Sequence, residues 1–276
     1  LDTNNNLVSL SGRNLTMGAT RLAFKYAAQP NGIHKLDLSG PSLDLRSFVP
    51  RWLDGEPSKE EPELDLNVKI DLVYLTDEVA LRKLWGVGRR QAGEWQSANM
   101  RAVMAGGQSV AFTVQGEAKG RRFIVMAGDA GGMARALGIY PDARGGTMLL
   151  NFMIPEDNGS DNTIIGNLRA DNFRVVKAKV LTRLLTLGSL TGLSDVLNDK
   201  GITFTRLTVP FAMRKGVLHM ERARAGGPAL AIIATGNYVR DGEALQFQGA
   251  IVPSYTINSV LGVIPIPVSY THLRAH

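Results

Sequence analysis

The chain contains no cysteine among its 276 residues. Disulfide bonds and thiolate–zinc sites are therefore excluded. The chain also has no uninterrupted apolar run of about 18 residues, the length a membrane-spanning helix needs. Apolar residues nevertheless make up 44% of the sequence. The protein thus has ample material for a core, but no covalent cross-link to hold it together.

Positive charge exceeds negative charge, giving a net charge of +6 and an isoelectric point near 9.6. The basic residues are scattered, with doublets at Arg89-Arg90 and Arg121-Arg122. No basic run interleaves with aromatic residues, so the pattern disfavours nucleic-acid binding. The net positive charge also fits a solvated surface near an anionic membrane. The chain begins with Leu1 rather than Met, which indicates a piece of a longer protein.

Residue types that carry chemistry are sparse. His272 and His276 have the H-x3-H spacing that suits a metal on a helix, but they lie at the chain terminus. His34 and His219 fall in alternating segments, which predicts exposed strand residues. The stretch GDAGG could cradle a phosphate between strand and helix, yet a turn capped by Asp129 is favoured because no phosphate-binding motif is matched. We predict no catalytic residue, no metal ligand and no cofactor.

Alternation of apolar and polar residues runs through most of the chain. It is clearest in LDLNVKIDLVYL, where every second residue from Leu64 to Leu72 is apolar. No alternation of strands with long helices appears, which argues against a doubly wound parallel sheet. The pattern predicts a mainly β protein with strands at residues 7–17, 20–27, 33–45, 64–75, 95–104, 108–116, 121–127, 147–154, 163–175, 202–214, 216–224, 229–238 and 244–252.

Two segments depart from the β pattern. Residues 128–140 predict one or two helical turns with Asp129 at the N-cap. Residues 177–201 predict the longest helix, which ends at Gly201. Its apolar stripe is formed by Leu181, Leu184 and Leu185. Lys179 and Arg183 accompany the stripe, so the pattern indicates an amphipathic helix rather than a membrane span.

The segment from residue 229 to residue 252 predicts a β-hairpin around Asp241-Gly242. Each of its strands has one apolar face, interrupted by the small residues Ala234, Gly236 and Gly249. Such a face has to be covered, either by protein or by an apolar ligand, and small residues permit both. From the residues alone, an ordinary core is the favoured interpretation.

A run of motifs resembles a known family. In order they are DAGGMARALGIYPDARGGTMLL, IIGNLRADNFRVVKAKVLTRLLTLGSLTGLSDVLNDKGITFTRL, GGPALAIIATGNYV and LQFQGAIVPSYTINSVLGVIPI. Together they span about half of the chain and resemble the C-terminal region of the AsmA-like family, the group of YhdP and TamB relatives. The resemblance implies an elongated, curved antiparallel sheet, or repeating β-groove, with one or two short amphipathic helices.

The resemblance also implies a division of the chain. Residues 1–155 form a β-rich region that precedes the AsmA-like C-terminal region. Residues 156–268 form that region itself, with a helix near 177–200. The final stretch, 269–276, departs from the family and is interpreted as a non-native tail without a pattern that joins it to the preceding strand.

The function implied by the resemblance is non-enzymatic. A protein of this family is expected in the periplasm, anchored in the inner membrane by a helix outside this sequence, and moves phospholipid between the inner and outer membranes. The expected partners are phospholipid or another acyl lipid, the membrane surface and other envelope proteins. The candidate groove residues are Leu207, Val209, Phe211, Leu230, Ile232, Leu245, Phe247 and Ile251. The alternative is a structural or assembly factor that binds protein partners through its sheet edges.

The helix predicted over residues 177–201 gives the first test. A stripe of three leucines has to be buried against something, and the apolar sheet face is the nearest surface. Leu184→Asp should then lower the free energy of unfolding by a few kcal/mol, because it buries an unpaired charge. Urea unfolding followed by circular dichroism measures this. Unchanged stability would mean that the stripe faces solvent or membrane.

Overall fold

The computed structural model describes residues 7–47, 62–156, 163–176, 201–239, 244–253 and 266–271. Over these residues the chain forms sixteen β-strands and one short helix. The predicted mainly β, antiparallel fold class is therefore confirmed. The chain divides into two compact units. Unit 1 comprises Leu1–Ala127 with Ala136–Ile139, and unit 2 comprises Gly128–Arg135 with Tyr140–His276.

Unit 1 contains eight strands whose spatial order follows the chain. They are β1 Ser9–Met17, β2 Thr20–Ala28, β3 Ile33–Asp44, β4 Glu63–Tyr74, β5 Ala80–Gln91, β6 Glu94–Met104, β7 Ser109–Glu117 and β8 Gly120–Ala127. Neighbours are antiparallel except β3 and β4, which are parallel. A parallel pair needs a connection of about a dozen residues or more. The Pro-rich segment between these two strands has that length.

Unit 2 contains the remaining elements. They are α1 Ala130–Ala136, whose last residue falls in unit 1, and β9 Ala143–Arg144, β10 Thr147–Pro155, β11 Ile164–Val175, β12 Ile202–Arg214, β13 Val217–Gly226, β14 Leu230–Val239, β15 Ala244–Pro253 and β16 Ile266–Thr271. Strands β10 to β16 neighbour one another in chain order, each pair antiparallel. The two-residue strand β9 pairs with the end of β11.

The thirteen predicted strands are all present, and β5, β9 and β16 are additional. Strand β5 escaped detection because glycines replace large apolar residues on its buried side. A Cβ at Gly86 would lie 2.4 Å from the backbone oxygen of Asn99 and 2.7 Å from Cα of Met100. Glycine at this position therefore allows the neighbouring strand to approach closely. Because glycine replaces a large apolar residue, the alternation that would predict β5 is missing from the sequence.

The structure describes the first three residues of the predicted tail. Ser269–Thr271 belong to β16 and pair with Gln246–Gln248 of β15. The non-native origin of residues 269–276 stays a prediction. Residues 272–276 lie outside the described residues, as do His272 and His276.

Helix α1 confirms the predicted N-cap. The backbone N–H of Gly132 donates to Oδ1 of Asp129 at 2.9 Å, satisfying a donor that the helix itself cannot pair. Helix and β9 are in close contact, because a Cβ at Gly131 would lie 2.5 Å from Cα of Arg144. The longer predicted helix, with Leu181, Leu184 and Leu185, lies outside the described residues.

At three places in the described strands, a glycine stands directly opposite phenylalanine on a neighbouring strand. Gly12 stands opposite Phe24, Gly166 opposite both Phe152 and Phe211, and Gly236 opposite Phe247. At each glycine a Cβ would lie between 2.2 and 2.6 Å from an atom of the facing phenylalanine. A ring placed over a glycine restores the packing that the glycine lacks and fixes the register of the two strands.

This packing makes a matched pair of substitutions informative. Gly166→Ala should lower the free energy of unfolding by roughly 1–3 kcal/mol, because the new methyl group displaces the facing rings. Gly226→Ala, in the same unit, should be neutral or slightly stabilising, since nothing lies within 4 Å of the added Cβ. Urea unfolding of both variants checks this, and equal stability would contradict the packing role of Gly166.

Candidate functional site

The predicted groove residues lie on one face of the sheet in unit 2. Directly paired residues of antiparallel strands project to the same side, so the register identifies the face. We call it the apolar face. One row across the strands is Met148, Ala170, Leu207, Ala225, Ile232 and Ile251, and a second is Phe152, Gly166, Phe211, Met220, Gly236 and Phe247. Leu150, Leu168 and Val209 lie between the rows.

No charged residue occurs at these positions of the described strands β10 to β15. Most of the side chains are nevertheless half-buried rather than buried, including Leu168, Leu207, Val209 and Ile232. The corresponding face of unit 1 is more closed, with Ile70 and Val114 each 1% exposed. The apolar face of unit 2 therefore leaves hydrocarbon surface partly accessible over several strands.

Two of the predicted groove residues are buried. Leu230 is fully buried and Ile251 is 7% exposed. These two residues therefore offer little surface to a ligand.

The other predicted residues occupy the accessible part. Leu207, Val209, Phe211, Ile232 and Phe247 are all half-buried. Leu245 is placed by its backbone, opposite Tyr238. The helix residues Leu181, Leu184 and Leu185 lie outside the described residues, so their relation to the face stays a prediction.

Small residues form a strip between the two rows. Ala223 pairs with Ala234, and Ala234 pairs with Gly249. Larger side chains flank this strip, with Ile232 on one side and Phe247 on the other. Both glycines of the hairpin are closely packed, because a Cβ at Gly236 would lie 2.2 Å from the ring of Phe247 and a Cβ at Gly249 would lie 2.3 Å from the backbone oxygen of Ile233. Close packing accounts for these two glycines, and room for an acyl chain stays a prediction.

The opposite face of the same strands, which we call the polar face, carries charged and ion-paired residues together with the exposed apolar residues Leu149, Ile165 and Ile233. Asp171 accepts hydrogen bonds from Arg169 and Arg206, each at 2.7 Å. These two guanidinium groups hold the pKa of the Asp171 carboxyl below its ordinary value. His219 is exposed and lies 2.7 Å from the side-chain oxygen of Asn237. The predicted exposure of His219 is confirmed, whereas His34 is half-buried and hydrogen-bonded to Tyr26.

The described residues hold no group of three or more His, Asp or Glu side chains placed to bind a metal ion. Among the same residues, no helix has the length and hydropathy needed to cross a bilayer. An apolar surface of this kind can act by partition, in which a hydrocarbon group leaves water for the surface.

Sequence reasoning missed several members of the face. Leu150, Leu168 and Met220 alternate within their own strands, but nothing in the sequence says which residues they stand beside. Register fixes this, and register depends on bulges such as those between Thr208 and Phe211 and between Met220 and Ala223. The backbone φ of Arg222 is positive, 50°, and marks the bulge between Met220 and Ala223.

Comparison with models of protein families, with curated proteins and with solved structures found no match to this chain. The resemblance to the AsmA-like family thus stays a prediction from the quoted motifs. The functional argument depends on the geometry of the apolar face.

Because the chain lacks cysteine, single cysteines can report accessibility without background. We expect a water-soluble maleimide to label Val209→Cys and Ile233→Cys in the folded protein, since position 209 is half-buried and position 233 is 45% exposed on the polar face. Leu230→Cys should resist labelling until urea unfolds the chain. Mass spectrometry measures the labelled fraction. If the thiol at position 209 is as well protected as the thiol at position 230, the face is a closed core.

Proposed function

We propose that this chain binds acyl lipid on the apolar face of unit 2 and conducts it between the two membranes of a bacterial envelope. The observation that carries the proposal is the uncharged, half-buried face that extends over strands β10 to β15. The quoted sequence motifs support the same function through their resemblance to the AsmA-like family. In that proposal the protein acts in the periplasm, anchored in the inner membrane by a segment outside this sequence.

The energetics favour a hydrocarbon ligand. Each methylene group removed from water contributes about 0.8 kcal/mol, so even partial burial of one acyl chain offsets a substantial part of the cost of leaving a bilayer. Binding of this kind is graded and non-directional. A face without hydrogen-bonding groups therefore holds a tail without fixing its position, which suits movement along the face.

Burial differs along the proposed path. At Leu230 and Ile251 the face is buried, whereas the part that holds Phe211, Met220 and Phe247 is half-buried. An acyl tail would therefore contact the half-buried part. The head group, which is costly to desolvate, would stay in water.

A second candidate function rests on a different observation. Strand β1 pairs with β2 alone among the described strands, and it carries the exposed residues Leu10, 51%, and Met17, 67%. An unpaired strand edge with exposed apolar side chains can accept a strand from another protein. In that case the chain is an assembly factor of the envelope, and a protein partner rather than lipid occupies it.

A set of three glutamate variants tests the lipid proposal. Val209→Glu should leave the fold largely intact, because a carboxylate at a half-buried position can reach water, while bound lipid falls severalfold. Ile233→Glu is the matched control on the polar face and should change neither property. Leu230→Glu should unfold unit 2, since it places a charge in a fully buried site.

Thermal unfolding and quantitative mass spectrometry of lipid extracts, made on the same preparations, give both readouts. Folded Val209→Glu with a full lipid load would defeat the assignment of this face. Loss of folding in Val209→Glu would instead identify a closed core. A stoichiometric protein partner without lipid would favour the assembly function.

A further inference from the structure

A shallow, open depression lined by several polar side chains lies on unit 1, on the side of its sheet opposite the buried face. Its volume is about 720 Å³, within the range of roughly 300–1,000 Å³ that small-ligand sites occupy. We call it the polar trough. Its lining includes Lys35, Asp37, Asp65, Asn67, Arg89 and Asn99.

The trough results from the lengths of its side chains. Short residues, Ser97, Asn99 and Thr113, occupy β6 and β7, while the longer Lys35 and Arg89 stand on β3 and β5. The alternating register brings these residues to one side of five neighbouring strands. Because the set belongs to regular strands rather than loops, its positions are fixed by the sheet.

Two pairs of lining residues hold one another in place. Arg89 donates two hydrogen bonds to the carboxylate of Asp65, at 2.8 and 3.1 Å. The amide of Asn67 donates to Asp37 at 3.0 Å. A two-point guanidinium–carboxylate pair has a defined plane. Donors and acceptors therefore face the trough in a fixed arrangement.

The charges of the lining select against most ligand classes. Two cations, Lys35 and Arg89, stand beside two carboxylates, Asp37 and Asp65, so the trough carries no net charge. A polyanion would meet both carboxylates, and an acyl chain would leave the polar groups desolvated. A neutral ligand with several hydroxyl groups satisfies such a surface, because each hydroxyl both donates and accepts.

An exposed aromatic ring continues the same side of β5. Trp85 is 50% exposed and lies two residues from Val87, which lines the trough and is 52% exposed. The guanidinium carbon of Arg101 lies 5.8 Å from the centroid of the Trp85 ring. An indole surface beside hydrogen-bonding groups suits a ring with one apolar C–H face and hydroxyls at its rim. Pyranose sugars have this combination.

We propose that the polar trough is a binding site for a neutral oligosaccharide, with Asn67, Arg89 and Asn99 contacting sugar hydroxyls and Trp85 supporting a neighbouring sugar ring. This site is separate from the apolar face of unit 2 and does not depend on the lipid function. A protein with both sites would hold a glycan polymer on one unit while carrying lipid on the other.

The test uses the whole chain and three probes, chitotetraose, cellotetraose and maltotetraose, in isothermal titration calorimetry. At least one probe should bind saturably. Asn67→Ala and Arg89→Ala should each weaken its binding by roughly tenfold or more, the effect of losing one or two hydrogen bonds. Arg46→Ala is the matched control, because Arg46 pairs with Asp44 and Asp77 outside the trough.

Circular dichroism melts of all three variants separate folding from binding. Failure of the wild-type chain to bind any of the three probes overturns the proposal. Binding by Asn67→Ala and Arg89→Ala at wild-type affinity places the sugar elsewhere and also overturns it. Displacement of the sugar by inorganic phosphate would reveal an anion site and would also overturn the proposal.

Discussion

Strand register is the constraint on which the rest of this structure depends. Side chains alternate across a strand with a period of two, so a slip by one residue would move every apolar side chain to the other side of the sheet. In unit 2 this would bring Arg169 and Arg206 into line with the apolar rows and expose Leu168 and Leu207 on the polar side. A face free of charge over six strands is therefore a property of five registers held together, and no single strand provides it.

Aromatic rings over glycines hold those registers more firmly than backbone hydrogen bonds can. A backbone ladder forms equally well after a two-residue slip, but the ring of Phe247 lies where a Cβ at position 236 would be only 2.2 Å away, so the observed register favours glycine there. The same holds for Phe211 and Phe152 around Gly166. Packing a phenylalanine against a glycine therefore favours one register for each strand pair, although glycine itself has a low β-propensity.

Much of the fold could be predicted because alternation is a local property. Strand β4, with Val68 and Ile70 buried and Lys69 and Asp71 exposed, can be predicted from its own sequence. Strand β5 cannot, because Gly86 and Gly88 occupy its buried side and their role appears only when β6 packs beside them. The same limit applied to the apolar face. Its strands are predictable, but the burial of Leu230 and the partial exposure of Val209 depend on pairings between strands. The polar trough left no local signal at all, because its residues come from five strands and are individually ordinary.

The order of strands within each unit follows the chain, and this has a consequence for how such a protein can change in length. A hairpin added at the end of unit 2 would pair with β16 alone and disturb no existing register. Each added strand would extend the sheet by about 4.8 Å, so reach could grow in equal steps by duplication of hairpins, as in repeat proteins. The parallel pair β3–β4 is the exception. A hairpin inserted there would have to separate two strands joined by a long connection, so growth is confined to the antiparallel stretches on either side.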